Sequence, residues 1–177
     1  MINNKIEKAI NEQINAEMWS GYLYLSMSSY FESIGLSGFA NWMWTQAREE
    51  MTHAMRLYSH VIERGGRVIF DAIDKVPNEW KSPQHVFEET YKHEKKVTSL
   101  IENLVDIAEK EKDRATYNML QWFIDEQVEE EASADEILQK LKLIGKNGNG
   151  LFMLDRELSQ RVFTPPVDMK MYNQGAK

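Results

Sequence analysis

Four glutamates, Glu17, Glu50, Glu94 and Glu130, stand where a helical apolar stripe calls for hydrophobic side chains. Each has a bulky apolar or aromatic residue seven positions before it and another seven after. The sets are Ile10–Glu17–Tyr24, Met43–Glu50–Leu57, Phe87–Glu94–Ile101 and Phe123–Glu130–Ile137. Seven residues are nearly two helical turns, so each set lies along one stripe. Four helices therefore each aim a carboxylate at the core. Unpaired buried charge is costly, so a cationic partner is expected among them. Two of the four carry a further potential ligand at helical spacing, in Glu50-x-x-His53 and Gln127-x-x-Glu130. The pattern is that of a two-metal site inside a four-helix bundle.

The chemistry follows from the donor set. Four ionised carboxylates carry a charge of −4, which two divalent cations neutralise; when the site is empty, mutual repulsion raises carboxylate pKa values. One His among oxygen ligands suits iron or manganese better than structural zinc, with zinc as a competitor. Glu17 and His53 are assigned to one metal, Glu94 and Glu130 to the other, and Glu50 to the bridge. Gln127, neutral and on the face of Glu130, is placed to bind weakly or to hydrogen-bond a ligand. Tyr24, two turns from Glu17, is placed to donate a hydrogen bond or a single electron. The chain has no Cys, which excludes disulfides, thiolate-bound zinc and iron–sulfur clusters.

The elements that must position these residues are helical. The first helix is expected from about Lys5 to Ile34, the second from about Phe39 to Arg64, ending at Gly65-Gly66. Arg67 to Lys81 reads as a connection with a strand-like patch at Val68-Ile69-Phe70. Ser82-Pro83 reads as an N-cap followed by Pro at the first helical position, opening a third helix that runs to about Lys110. Asp113 is the expected N-cap of a fourth helix ending at Gly145, and a short fifth spans Leu151 to Arg161. The domain is expected over residues 1–165, with an irregular tail at 166–177. Gly21 interrupts the first helix without a reason visible in the sequence.

The long connection bears on topology. A 27-residue helix is roughly 40 Å long, and about 15 extended residues reach roughly 50 Å. The chain can thus return along the whole bundle, leaving helices two and three parallel. Glu50 and Glu94 then share a depth; an antiparallel pairing would separate them by roughly 9 Å. The fold class expected is all-α, a four-helix bundle with one long crossover and a short fifth helix.

Glu49, Glu126 and Glu129 lie beside the inward set and form a candidate third cation site. An acidic run such as Glu129-Glu130-Glu131 is ordinarily a wet helix face, and an inward Glu alone can pair with Arg or set helix register. Four inward acids at matching depths are hard to obtain that way. His60, His85 and His93 read as structural, and the five Trp residues as packing. The net charge of −7 argues against non-specific nucleic-acid binding. No apolar signal region opens the chain and no stretch is long enough to span a membrane, so a cytoplasmic location is expected.

The segments around Glu17 (Asn15-Ala16-Glu17), Glu50 (Ala47-Arg48-Glu49-Glu50-Met51-Thr52-His53), Glu94 (Tyr91-Lys92-His93-Glu94-Lys95) and Glu130 (Trp122 to Glu131), with Leu151-Phe152-Met153-Leu154-Asp155, resemble bacterial and archaeal non-haem ferritins. The ligand pattern is one already described for ferritin-like di-iron bundles. Gln127-x-x-Glu130 replaces the second Glu-x-x-His of that pattern and points away from bacterioferritins. The resemblance implies a shell of 24 subunits, and oxidation of Fe(II) by O2 or peroxide at the pair. It also implies storage of Fe(III) as a hydrated oxide and a third iron at Glu49, Glu126 and Glu129. No haem is expected, although Met51 lies near where bacterioferritins present an axial Met. Two other readings compete: a di-iron oxidase acting on an organic substrate, and a non-enzymatic bundle whose acids only set register.

Overall fold

The computed structural model describes residues 1–165. Five helices follow one another: α1 Asn4–Ser33, α2 Ser37–Glu63, α3 Pro83–Lys110, α4 Arg114–Ile144 and α5 Gly148–Leu158. Two start signals in the sequence act as expected. The Ser82 hydroxyl accepts from His85 N with Pro83 following, and the Asp113 carboxylate accepts from Thr116 N. Asn3 caps α1 through Lys5 N. The N-cap of α2, Leu36, has no side-chain acceptor. Asp155, reaching across from α5, substitutes for one: its Oδ1 accepts from Gly38 N at 2.8 Å and Phe39 N at 3.0 Å. A negative charge there also suits the helix N-terminus. This approach requires Gly38, since a Cβ at that position would lie 1.7 Å from the Asp155 carbonyl oxygen.

The core divides into two apolar clusters, and the order in which each helix visits them fixes its direction. Ile10, Leu57, Ile101 and Phe123 belong to one cluster. Tyr24, Met43, Phe87 and Ile137 belong to the other, which also takes Leu154 and Leu158 of α5. α1 and α4 therefore run from the first cluster to the second, and α2 and α3 run the opposite way. Helices two and three are parallel, as the long crossover requires. End-to-end contacts agree: Ile2 N donates to Arg64 O at 2.9 Å, Arg64 pairs with Asp113 at 2.9 Å, and the Trp42 and Phe87 rings lie 5.2 Å apart.

Three expectations change. Val68-Ile69-Phe70 is not a strand, and the described residues contain none. Its backbone groups bond to α1 instead: Asn11 Nδ2 donates to Arg67 O at 3.1 Å and Asn11 Oδ1 accepts from Ile69 N at 3.0 Å. Asn15 and Ser26 continue the attachment, to Ala72 O at 3.1 Å and Pro77 O at 2.7 Å. α5 starts three residues before the expected Leu151, because Asn147 caps it through Asn149 N and Gly150 N, and it stops at Leu158. Gly21 acquires a reason: a Cβ there would meet Ala47 O at 3.3 Å and the Glu50 Cβ at 3.6 Å, so its absence lets α1 approach α2 beside Glu50. The tail expected at 166–177 lies outside the described residues.

Candidate metal centre

On every helix of the bundle the inward glutamate falls in the gap between the two apolar clusters. Glu17 sits between Ile14 and Tyr24, Glu50 between Ala47 and Ala54, Glu94 between Phe87 and Val97, and Glu130 between Phe123 and Ile137. All four are buried, Glu130 the least at 7% exposed, and so are His53 and Gln127. The layer is therefore a sealed polar stratum inside an otherwise apolar bundle.

Its internal bonds leave carboxylate valence unspent. Gln13 Nε2 donates to Glu17 Oε1 at 2.9 Å, Gln46 Nε2 to Glu130 Oε2 at 2.5 Å, and the Tyr24 hydroxyl to Glu94 Oε1. Gln127 Nε2 reaches Glu94 Oε2 at 3.4 Å, the Glu94 carbonyl at 3.2 Å and Thr98 Oγ1 at 3.3 Å. Glu17 Oε2 and Glu50 Oε2 accept from no donor, although the two carboxyl groups lie within reach of a shared proton. His53 Nδ1 lies 3.3 Å from Glu50 Oε2, close enough for an ion pair but outside hydrogen-bonding geometry. Buried carboxylate oxygens without donors are rare, and a cation is the partner that satisfies them.

Two ligand trios emerge, each with donor atoms within 4.8 Å of one another: Glu17, Glu50 and His53, and His53, Glu126 and Glu130. The first brings together Glu17 and His53, assigned from sequence to one metal, and Glu50, assigned to the bridge. The second brings in half-buried Glu126, assigned from sequence to an outer group. Glu94, assigned to the second metal, is turned toward Tyr24 and Gln127 in this arrangement. Glu129 is exposed, and Glu49 is held by Arg161. Among the described residues the candidate outer trio of Glu49, Glu126 and Glu129 does not converge as these two do.

Burial dominates the electrostatics. It raises Glu17 to about 8, with the Glu50 charge adding to it, and Glu130 to about 8, with Glu94 adding. Burial carries Glu94 to about 7 even though the Tyr24 and Gln127 bonds pull it down. Glu50 is pushed well up by burial and then by Glu94 and Glu130. The empty centre thus holds protons near neutral pH, which cations displace on binding. His93, adjacent to Glu94, faces away; its Nε2 meets Ser20 Oγ at 2.8 Å and its ring packs on Trp19. Trp122 packs edge-on against His53 with centroids 5.4 Å apart and carries Arg56 over its other side at 4.1 Å.

Sequence reasoning passed over Gln13 and Gln46, and a signal for both existed. Each stands four residues before an inward glutamate, Gln13 before Glu17 and Gln46 before Glu50, on the same helical face. Arg161 carried no comparable signal, because it approaches from a non-helical segment.

Residues 7–144 match the ferritin-like domain family named Ferritin. The chain belongs to the ferritin family. It is 52% identical over 161 residues to a bacterial non-heme ferritin of Bacteroides fragilis, covering 91% of this chain and all of that one. A probable bacterial non-heme ferritin-like protein of Haemophilus influenzae is 40% identical over 158 residues, 89% of this chain and 96% of its own. Among solved structures, an Archaeoglobus fulgidus ferritin engineered into a closed form is 56% identical, with a TM-score of 0.92 over 93% of this chain and 100% of that one. The open-pore ferritin of the same archaeon gives 0.90 at 56% identity, over 92% of this chain and 100% of its own. The four-helix bundle expected from the inward carboxylates, ferritin-like by resemblance, is the fold observed, and no helix among the described residues is long and apolar enough to cross a membrane.

Proposed function

We propose that this chain is an iron-storage ferroxidase: it oxidises Fe(II) with O2 or peroxide at the buried centre and keeps Fe(III) as a hydrated oxide inside a homo-oligomeric shell of 24 subunits. The observation that carries the reading is the pair of unpartnered buried oxygens, Glu17 Oε2 and Glu50 Oε2, in a sealed layer that also contains His53 and Glu130. Family membership supports iron as the cargo.

Two Fe(II) ions enter as substrate. Glu17, Glu50 and His53 take one, and Glu94 and Glu130 with Gln127 beside them take the other, with Glu50 between them. The oxygen-rich donor set stabilises Fe(III) over Fe(II), which favours electron loss to the oxidant. The carboxylates release their protons as iron binds. The Tyr24 hydroxyl holds Glu94 through its Oε1 and is the group placed to supply a further electron. Apolar clusters above and below exclude bulk water. Glu49, Glu126 and Glu129 offer a third position on the way out, once Arg161 releases Glu49. Residues 1–165 act as one domain, in the cytoplasm, with neither haem nor nucleic acid as partner.

Aerobic Fe(II) is added far beyond a few ions per chain, and particle mass and iron content are read together. Soluble iron retained inside a particle of shell size is the expected result. Iron precipitating outside once the pair is full would remove storage, and no iron-dependent oxygen uptake would remove the ferroxidase.

A further inference from the structure

The segment following α5 returns to the metal layer through one side chain. Arg161 Nη1 donates to Gln46 Oε1 at 2.8 Å and to the Trp42 carbonyl at 3.4 Å, while Nη2 donates to Glu49 Oε2. The guanidinium lies over the Trp42 ring, 4.4 Å from its centroid. The backbone around it is fastened to α2, since Asn41 Nδ2 donates to Leu158 O at 3.3 Å and Arg161 O at 3.0 Å. Planar, five-donor geometry suits this fork between an amide oxygen and a carboxylate.

Gln46 is fully buried, and its carboxamide has two faces to satisfy. One looks at Arg161, the other at Glu130 Oε2 at 2.5 Å. A guanidinium has no acceptor, so the face toward Arg161 must be the amide oxygen. The NH2 group is then obliged to face Glu130. Without Arg161 the buried amide oxygen loses its donor, and the Gln46 side chain must leave this rotamer to find another, taking its NH2 off Glu130. We infer that Arg161 is a positioning residue for the metal centre: by fixing the polarity of the Gln46 amide it holds the Glu130 carboxylate in place for the second metal position. The end of α5 is thereby coupled to the second metal position through a single relay, Arg161–Gln46–Glu130.

This rests on the two-metal reading of the centre. The test uses Co(II) as the probe and equilibrium titration of the full-length protein. Two ions per chain are expected in the unaltered protein. Arg161→Met keeps an apolar stem on Trp42 and should weaken the looser of the two steps about tenfold, the range of losses for partners that orient a ligand. Arg161→Leu, which also removes the donor, is the second variant should the first not assemble, and the same weakening is expected of it. Arg161→Lys, still a donor to Gln46 Oε1, should recover most of the loss. Gln46→Met should produce the same weakening, and adding Arg161→Met to it should produce none further. A merely structural Arg161 would lower the melting temperature and leave the isotherm unmoved; that result overturns the inference while leaving the centre intact. Additive losses in the double variant would also overturn it. No Co(II) binding in the unaltered protein would remove the two-metal reading and the relay with it.

Discussion

At the end of the bundle that receives α5, Phe31, Phe39 and Phe87 are fully buried and their rings lie 5.1 to 6.4 Å apart. At the level of Glu17, Glu50, Glu94 and Glu130 the side chains are nearly as buried, yet two carboxylate oxygens have no partner and burial holds the acids far above their ordinary pKa. The same helices build both layers. Burial of the aromatic layer stabilises the fold by removing apolar surface from water. Burial of the carboxylate layer costs free energy that only bound cations and protons offset. The bundle can carry the second because the first exists on both sides of it, in two apolar clusters contributed by the same four helices.

The widest separation between the layers is expected from truncation. Phe87→Ala should cost about 3–5 kcal/mol, the usual range for a buried aromatic, and lower the melting temperature by on the order of 10 °C. Glu17→Ala combined with Glu130→Ala should do the opposite to the metal-free protein, leaving its melting temperature unchanged or higher. The same double variant should slow initial Fe(II) oxidation at least on the order of a hundredfold. Thermal scans and oxygen-uptake rates on both variants break the comparison if the acids prove to stabilise the empty fold, or if oxidation stays fast without them.

A pH scan sharpens the same contrast with a smaller effect. Glu17 and Glu130 have folded values near 8 and Glu94 near 7, all above the ordinary carboxyl value of 4.5. A raised folded pKa contributes stability that is present in full below the unfolded value and is lost as pH rises through the folded one. The metal-free protein should therefore lose melting temperature as pH climbs from about 4.5, the slope ending above about 8, and saturating Co(II) should abolish it, since the cations replace the protons. The Glu17→Ala, Glu130→Ala variant should show a flatter profile. An equally steep slope in that variant would place the titrating groups elsewhere.

The centre was legible because its physics is local. A carboxylate on an apolar stripe is visible at a spacing of seven, and Glu50-x-x-His53 needs one helical turn. Parallel α2 and α3 were legible from chain length alone, because the crossover has to span the bundle. What escaped depended on distant approach. Glu126 joins His53 and Glu130 rather than Glu129, which turns on how α4 is rotated against α2. Arg161 reaches Gln46 across 115 positions of chain, and Asp155 caps α2 from α5 across 117. Gly21 looked like a defect until the α2 backbone was seen packed against it. Val68-Ile69-Phe70 had β-branched and aromatic character suited to a strand, but a strand needs a partner edge, and Asn11 took its backbone groups first.

That substitution of side chain for ladder gives the smallest and cleanest prediction. Asn11 is the right length to accept from Ile69 N and donate to Arg67 O at once, so one side chain holds both ends of a short backbone arc. Both bonds are exposed to solvent, and water replaces much of each when it is lost. Asn11→Ala should therefore cost only about 1 kcal/mol, a melting shift of roughly 2–4 °C. Asn11→Asp keeps the acceptor for Ile69 N and removes the donor to Arg67 O, so about half of that loss is expected. Initial Fe(II) oxidation should be unchanged in both, because the crossover lies on the outer side of α1 and contributes no ligand. A fall in oxidation rate in either variant would instead tie the crossover to the metal layer through α1, and the contrast between a self-supporting frame and a dependent centre would no longer hold.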